Sequence, residues 1–242
     1  MNSELPVTSL PVHVERAGSG DPVLLLHGIG GSADSFAPQA RVLAARYQVL
    51  AWDAPGYARS ADPDAPPGMD GYADAAAALL SGLAPAHVVG VSWGGVIATR
   101  LALRHPGLVR SLVLADSTRG SGRTAATRAA MLARPRDLER DGAAEFAARR
   151  GPHLVSPAAP PDLVARVVAT MAASIRLPGY GYAAASMAET THDRLLASLA
   201  VPVLVVAGRQ DTVTGVREGS AIAAAIPGAR LTIIEDFWKG LP

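Results

Sequence analysis

Gly90-Val91-Ser92-Trp93-Gly94 sets one serine between two glycines. The apolar run His87-Val88-Val89 precedes it, and a helix-forming stretch, residues 96–103, follows. That order of strand, sharp turn and helix lifts a serine hydroxyl clear of its own backbone, and the chemistry it suits is nucleophilic attack on a carbonyl carbon. A turn this tight drives the serine into strained φ/ψ and presses its neighbours against strand and helix, so side chains two residues either side would clash.

A serine hydroxyl is barely ionised at neutral pH and needs partners. His27-Gly28-Ile29-Gly30-Gly31-Ser32 is a loop whose backbone could approach a substrate closely; with the amide of Trp93 it is a candidate oxyanion hole. Gly208-Arg209-Gln210-Asp211 offers an acidic residue placed to orient an imidazole. In a third loop, Asp53-Ala54-Pro55-Gly56-Tyr57-Ala58-Arg59-Ser60, Asp53 reads as an organiser of the loop rather than a catalyst.

These loops need rigid supports. Short runs rich in Val, Ile and Leu recur at residues 23–26, 48–52, 87–91, 111–115, 201–207 and 231–234, and read as strands buried on both faces of a parallel sheet. Segments 34–46, 71–83, 93–105 and 216–226 between them have helical composition and length. The alternation predicts an α/β sheet flanked by helices, in which functional residues gather beyond the carboxyl ends of the strands, where all these loops lie. From residue 119 to 198 no strand pattern occurs; helices are expected near 125–134, 138–150, 161–174 and 180–189, parted by Pro135, by residues 152–161 and by Leu177-Pro178-Gly179. The expectation is a helical lid over 119–198 set into a core of residues 1–118 and 199–242, with a few extra helices packed on one sheet face as the alternative.

The chain has 242 residues, no cysteine and a net charge of +1 of mixed sign. That balance disfavours nucleic acid and anionic membranes as partners and leaves a small-molecule substrate. Disulfides and thiolate metal sites are excluded, the amino-terminal residues lack a leader pattern, and no apolar run nears membrane-spanning length, so a cytoplasmic location is expected. Neither cofactor nor metal is implied. Lys239 is the only lysine among 22 basic residues, a bias that fits a GC-rich genome. The expected lid carries eleven Arg against seven Asp and Glu; a carboxylate-bearing substrate and solvated helix faces both account for this.

The His-Gly loop at 27–28, Asp-x-Pro-Gly-Tyr-x-x-Ser at 53–60, the elbow at 90–94 and Gly-x-x-Asp at 208–211 follow one another in an order and spacing that resemble the α/β-hydrolase superfamily. The resemblance covers essentially the whole chain and is greatest to small bacterial esterases, enol-lactonases and carbon–carbon bond hydrolases of aromatic breakdown. It implies Ser92 as nucleophile and Asp211 as triad acid, with Asp116 as rival acid and capping of the helix at 216–226 as the structural alternative for Asp211. It implies the amides of Ile29 and Trp93 as the oxyanion hole, Gly30 being the alternative to Ile29. Ala58 stands where the family usually has glycine. Relatives that open epoxides or remove halides carry aspartate at the position of Ser92. Serine there implies an acyl-enzyme formed from a small ester, lactone or vinylogous carbonyl, with a lyase, a perhydrolase or a non-catalytic ligand binder as alternatives.

The family's histidine base stands just after the last strand, in a Gly-His pair. Here residues 231–234 are followed by Glu235-Asp236-Phe237-Trp238-Lys239-Gly240-Leu241-Pro242, without a histidine. The six histidines, at 13, 27, 87, 105, 153 and 192, read as structural or remote. The expectation is that the base is missing, that a complete relative continues with a Gly-His loop and one further helix, and that turnover is lower by roughly 10⁴ to 10⁶. Sheet surface uncovered at this end would favour self-association.

Overall fold

A computed structural model describes residues 11–235. Strands β1 (Val14–Ala17), β2 (Asp21–Leu26), β3 (Tyr47–Trp52), β4 (Ala86–Val91), β5 (Val109–Ala115), β6 (Val203–Gly208) and β7 (Arg230–Ile234) form one sheet in the order β1-β3-β2-β4-β5-β6-β7. All neighbours run parallel except the edge strand β1, which pairs antiparallel with β3. The six apolar runs of the sequence are β2 to β7, each within three residues of its expected bounds. Their continuous hydrophobicity follows from burial on both faces. Leu24, Leu26, Leu50 and Trp52 face the larger core, closed by α2 (Gly68–Leu79) and α3 (Trp93–Arg104). Val23, Leu25, Val49 and Ala51 face the smaller one, closed by Phe36 and by α1 (Ala37–Leu43).

Register places the candidate residues. Leu26 pairs with Gly90, Val91 with Ala115, and Ala115 with Val206, so β2, β4, β5 and β6 end side by side. The loops that begin at residues 27, 92, 116 and 209 therefore emerge along one rim of the sheet.

Between β5 and β6 the chain forms α4 (Ala125–Arg150), α5 (Pro161–Ser174) and α6 (Gly179–Glu189); α7 (Gly215–Ala225) then precedes β7. The break expected at Pro135 is not there. α4 carries Pro135 within it and interrupts instead at Gly142, whose φ of 75° and ψ of 165° leave the helical region. Proline removes one hydrogen bond but keeps a helical φ, whereas the reversal at 142 is a conformation open to glycine.

These helices are fastened to the loop after β3. Ala58 N–H donates to the Ser174 carbonyl at 2.9 Å, and Arg176 donates to the carbonyls of Ala58 and Ser60 at 2.9 and 2.6 Å. Gly56 and Gly179 touch through their backbones: a Cβ on Gly179 would lie 2.0 Å from the Gly56 carbonyl oxygen. Ala58 holds φ 40°, which accounts for glycine being expected at that position. Among the described residues no helix is long and apolar enough to cross a membrane. Residues 236–242, in the stretch where the sequence has no histidine, lie outside the described residues.

Candidate active site

β4 ends at Val91 and α3 begins at Trp93, so Ser92 alone makes the turn, at φ 53° and ψ −114°. Such a conformation costs about 1–3 kcal/mol for a non-glycine residue and persists only where its surroundings hold it. Here Ser92 N–H donates to the Ala115 carbonyl at 3.0 Å, and the Ser92 carbonyl accepts from Gly95 N–H and the Ser117 hydroxyl, each at 3.0 Å. The flanking glycines are demanded by contact. A Cβ on Gly94 would sit 2.0 Å from the Leu26 carbonyl oxygen, and one on Gly90 would sit 2.3 Å from that of Gly94. The side chain of Ser92 lines a cavity of about 570 Å³ that lies between the sheet rim and helices α4 and α5.

The loop at 27–31 borders the same cavity, and a Cβ on Gly28 would stand 3.4 Å from that of Ser92. His27 fixes the loop. Its Nδ1–H donates to the Gly28 carbonyl at 2.8 Å, and its Nε2 accepts from Ala54 N–H at 3.0 Å. Burial pushes this imidazole down to about 4, against smaller opposite effects from Gly28 and Asp53, so it is neutral at pH 7. Among the described residues, the amides of Ile29 and Trp93 donate to no protein acceptor. The Gly30 amide faces the buried Tyr57 hydroxyl instead, away from the role open to Ile29. The Trp93 ring turns inward: it packs edge-on against Tyr72 at 4.8 Å, and its Nε1–H donates to Ser186 of α6 at 3.2 Å.

The acidic residues take different parts. Asp53 is fully buried and accepts from Ala33 N–H at 2.7 Å and from Arg59 Nε at 2.7 Å. Burial alone would raise its carboxyl; the hydrogen bonds from Arg59 and Ala33 outweigh that and hold it below the usual range. It ties the 27–36 and 53–60 loops together, as an organiser would. Asp211 accepts from the amides of Val213 at 2.7 Å and Gly215 at 3.0 Å, and from Thr214, so it braces the turn that leads into α7, whose N-cap residue is Thr214. Val213 and Thr214, next to it, line the cavity. Asp116 is buried at the end of β5 with φ 40°, and its Oδ1 accepts from Gly208 N–H at 2.9 Å. The Thr214 hydroxyl stands between the Asp211 carboxylate and the Asp116 carbonyl, donating to one at a time.

None of the six histidines, all of them among the described residues, lines the cavity. His87 bonds Ser111 at 2.7 Å at the far end of β4, His13 bonds Glu15, and His105 bonds Asp74. His153 is exposed in the short turn after α4. His192 is buried beside Arg100; desolvation, then that guanidinium, push it down to about 3. Glu218 of α7 is the acidic residue of the cavity lining. Burial works against its charge, yet Arg119, at 3.0 Å, holds the carboxyl below its usual range.

Sequence spacing did not point to the Trp93 indole, Ser117, Thr214 or the cavity's arginines. Each acts across a tertiary contact, and the only trace in the chain was the excess of Arg between residues 119 and 198.

Residues 21–237 match the family model described as alpha/beta hydrolase fold. The chain is 34% identical over 227 residues to the pimeloyl-[acyl-carrier protein] methyl ester esterase of Chromobacterium violaceum, a match covering 90% of this chain and 87% of that protein. It is 37% identical over 116 residues to the uncharacterised hydrolase YraK of Bacillus subtilis, covering 46% of this chain and 43% of YraK. Among the curated relatives it matches, the aligned stretch thus often spans less than half of the relative's length. Among solved structures, a hydrolase from Pseudomonas aeruginosa PA01 superposes with a TM-score of 0.85 at 27% identity, over 94% of this chain and 87% of that one.

Proposed function

Since the chain belongs to the α/β-hydrolase fold family, whose relatives here are hydrolases and esterases, we propose that it is a serine hydrolase of small carboxylic esters or lactones. The observation that carries this reading is Ser92 itself, held at φ 53° beside a cavity, next to two amides that no acceptor among the described residues uses. In this reading Ser92 Oγ attacks the carbonyl carbon, and the electron pair of the C=O moves onto oxygen, where the amides of Ile29 and Trp93 receive it. Collapse expels the alkoxide, which takes a proton, and water then hydrolyses the acyl-enzyme. Asp211 is the acid of the site, with Asp116 at hand through Thr214. Helices α4 to α6 act as the lid over the cavity. The absence of cysteine supports a cytoplasmic setting.

None of the six histidines lines the cavity, so acylation by these residues alone relies on water for proton transfer, and their turnover would be lower by roughly 10⁴ to 10⁶ than with a base in place. That same observation favours a second reading, a ligand-binding protein without turnover. A fluorophosphonate probe separates the two. Stoichiometric modification at Ser92, absent in Ser92→Ala, is expected of the hydrolase; an unmodified, folded protein would speak against an activated nucleophile and for the binder or a crippled enzyme.

A further inference from the structure

The cavity beside Ser92 is unevenly charged. Arg123, Arg134, Arg150 and Arg217 line it against one acidic residue, Glu218. Glu218 is already held by Arg119 at 3.0 Å, Arg123 bonds Asp193 at 2.9 Å, and Arg217 is exposed to water. Arg134 and Arg150 of α4 differ. Both are half-buried, and neither forms an ion pair among the described residues. The same helix shows the ordinary arrangement elsewhere: Arg140 bridges to Asp137 and Asp141, and Arg149 to Asp141.

Aromatic residues border both of these arginines. Arg150 lies over Phe146, 5.6 Å from its centroid, and Phe146 meets Tyr180 edge-on at 5.3 Å. The Tyr180 hydroxyl in turn faces the Arg134 guanidinium. Burial first, then the nearby Arg150, work against the charge on Arg134. Two like charges kept together in a half-dry site without a counter-ion are unfavourable on their own, and an anion would relieve both the repulsion and the desolvation. The planar fork of a guanidinium matches the two oxygens of a carboxylate. Met131, Leu154, Val167 and Met171 give the same cavity apolar walls suited to methylene groups.

We infer that Arg134 and Arg150 form a carboxylate-binding subsite, and that the substrate class is the half-ester of an aliphatic dicarboxylic acid, its free carboxylate docked on the two arginines while its ester faces Ser92. The ester part of this inference rests on Ser92 being the nucleophile; the subsite does not.

The test uses the Ser92→Ala protein, so that nothing turns over, titrated calorimetrically with monoethyl adipate and with diethyl adipate. The half-ester is expected to bind about tenfold more tightly than the diester, a difference of roughly 1.4 kcal/mol. That ratio falls toward one when Arg134→Gln or Arg150→Gln is added, and stays as it was with Arg136→Gln on the exposed side of α4, unfolding midpoints showing that each protein is folded. A ratio near one before any arginine is changed, or one that survives both substitutions, overturns the subsite. Displacement of the half-ester by inorganic phosphate at lower concentration than by acetate overturns the carboxylate in favour of a phosphate. Fluorophosphonate labelling of the parent protein reports on Ser92 separately. Labelling with a ratio of one sinks this inference alone, whereas a tenfold ratio without labelling sinks the nucleophile and leaves the subsite standing.

Discussion

The β4–α3 elbow and helix α4 both bring side chains to the same cavity, and they do so by opposite means. At the elbow the backbone decides. Gly90 and Gly94 are fixed by carbonyl oxygens 2.0 to 2.3 Å from where a methyl group would be, and Ser92 by its hydrogen bond to Ala115 of the neighbouring strand β5. Along α4 the side chains decide: Arg140 and Arg149 meet carboxylates, while Arg134 faces the Tyr180 hydroxyl and Arg150 lies over the Phe146 ring, neither with a carboxylate partner among the described residues. One region tolerates no added atom, and the other is tuned by which charges find partners. Steric constraints of the first kind leave a residue-by-residue mark in a sequence; electrostatic arrangements of the second kind leave only a composition.

The sharpest way to break that contrast is to add the same methyl group at the elbow and on α6, where it would face Pro135 of α4. Gly94→Ala forces a Cβ against the Leu26 carbonyl and is expected to destabilise the protein by more than about 4 kcal/mol, with loss of soluble, folded material. Gly181→Ala in α6, where the new Cβ would meet nothing nearer than 3.6 Å, is expected to be neutral or to stabilise by up to about 1 kcal/mol. Urea unfolding of both variants decides the matter; similar midpoints for the two would end the claim that backbone contact fixes the elbow.

A smaller effect compares one buried histidine from each side, His27 of the core loop and His192 beyond α6. Both have folded-state values depressed from 6.5, to about 4 and about 3. Each is kept neutral by the fold, so its contribution is fully present above pH 6.5 and is lost as pH falls, over 6.5 to 4 for His27 and 6.5 to 3 for His192, because the unfolded chain binds the extra proton there. Stability should therefore drop between pH 7 and pH 4.5, by up to about 3 kcal/mol per histidine. His27→Gln and His192→Gln should each flatten that slope. An unchanged slope in both would show that neither imidazole is held neutral.

The same division explains what could be read from the chain alone. The strands were legible because burial on both faces makes them continuous apolar runs, and the elbow because its glycines stand at fixed offsets from Ser92. Asp53 was legible as a loop organiser, a part it plays through Ala33 and Arg59. The interruption of α4 was not. Proline is a strong local signal, yet Pro135 keeps a helical φ, and the reversal falls at Gly142, a residue that is unremarkable among 24 glycines. The inward turn of the Trp93 indole onto Ser186, 93 residues away, was equally hidden, since nothing in the pentapeptide says which way that ring points.

The meeting of Gly56 with Gly179 carries a consequence for how such a cavity could be resized. Where two main chains rest on each other with no side chain between, the height of the roof over the sheet rim is a fixed dimension, like the joint of a frame. Exchanging residues there would displace the roof rather than reshape it. Adjustment of the space is left to the long, pliable thioethers of Met131 and Met171, which can change shape without moving the beams.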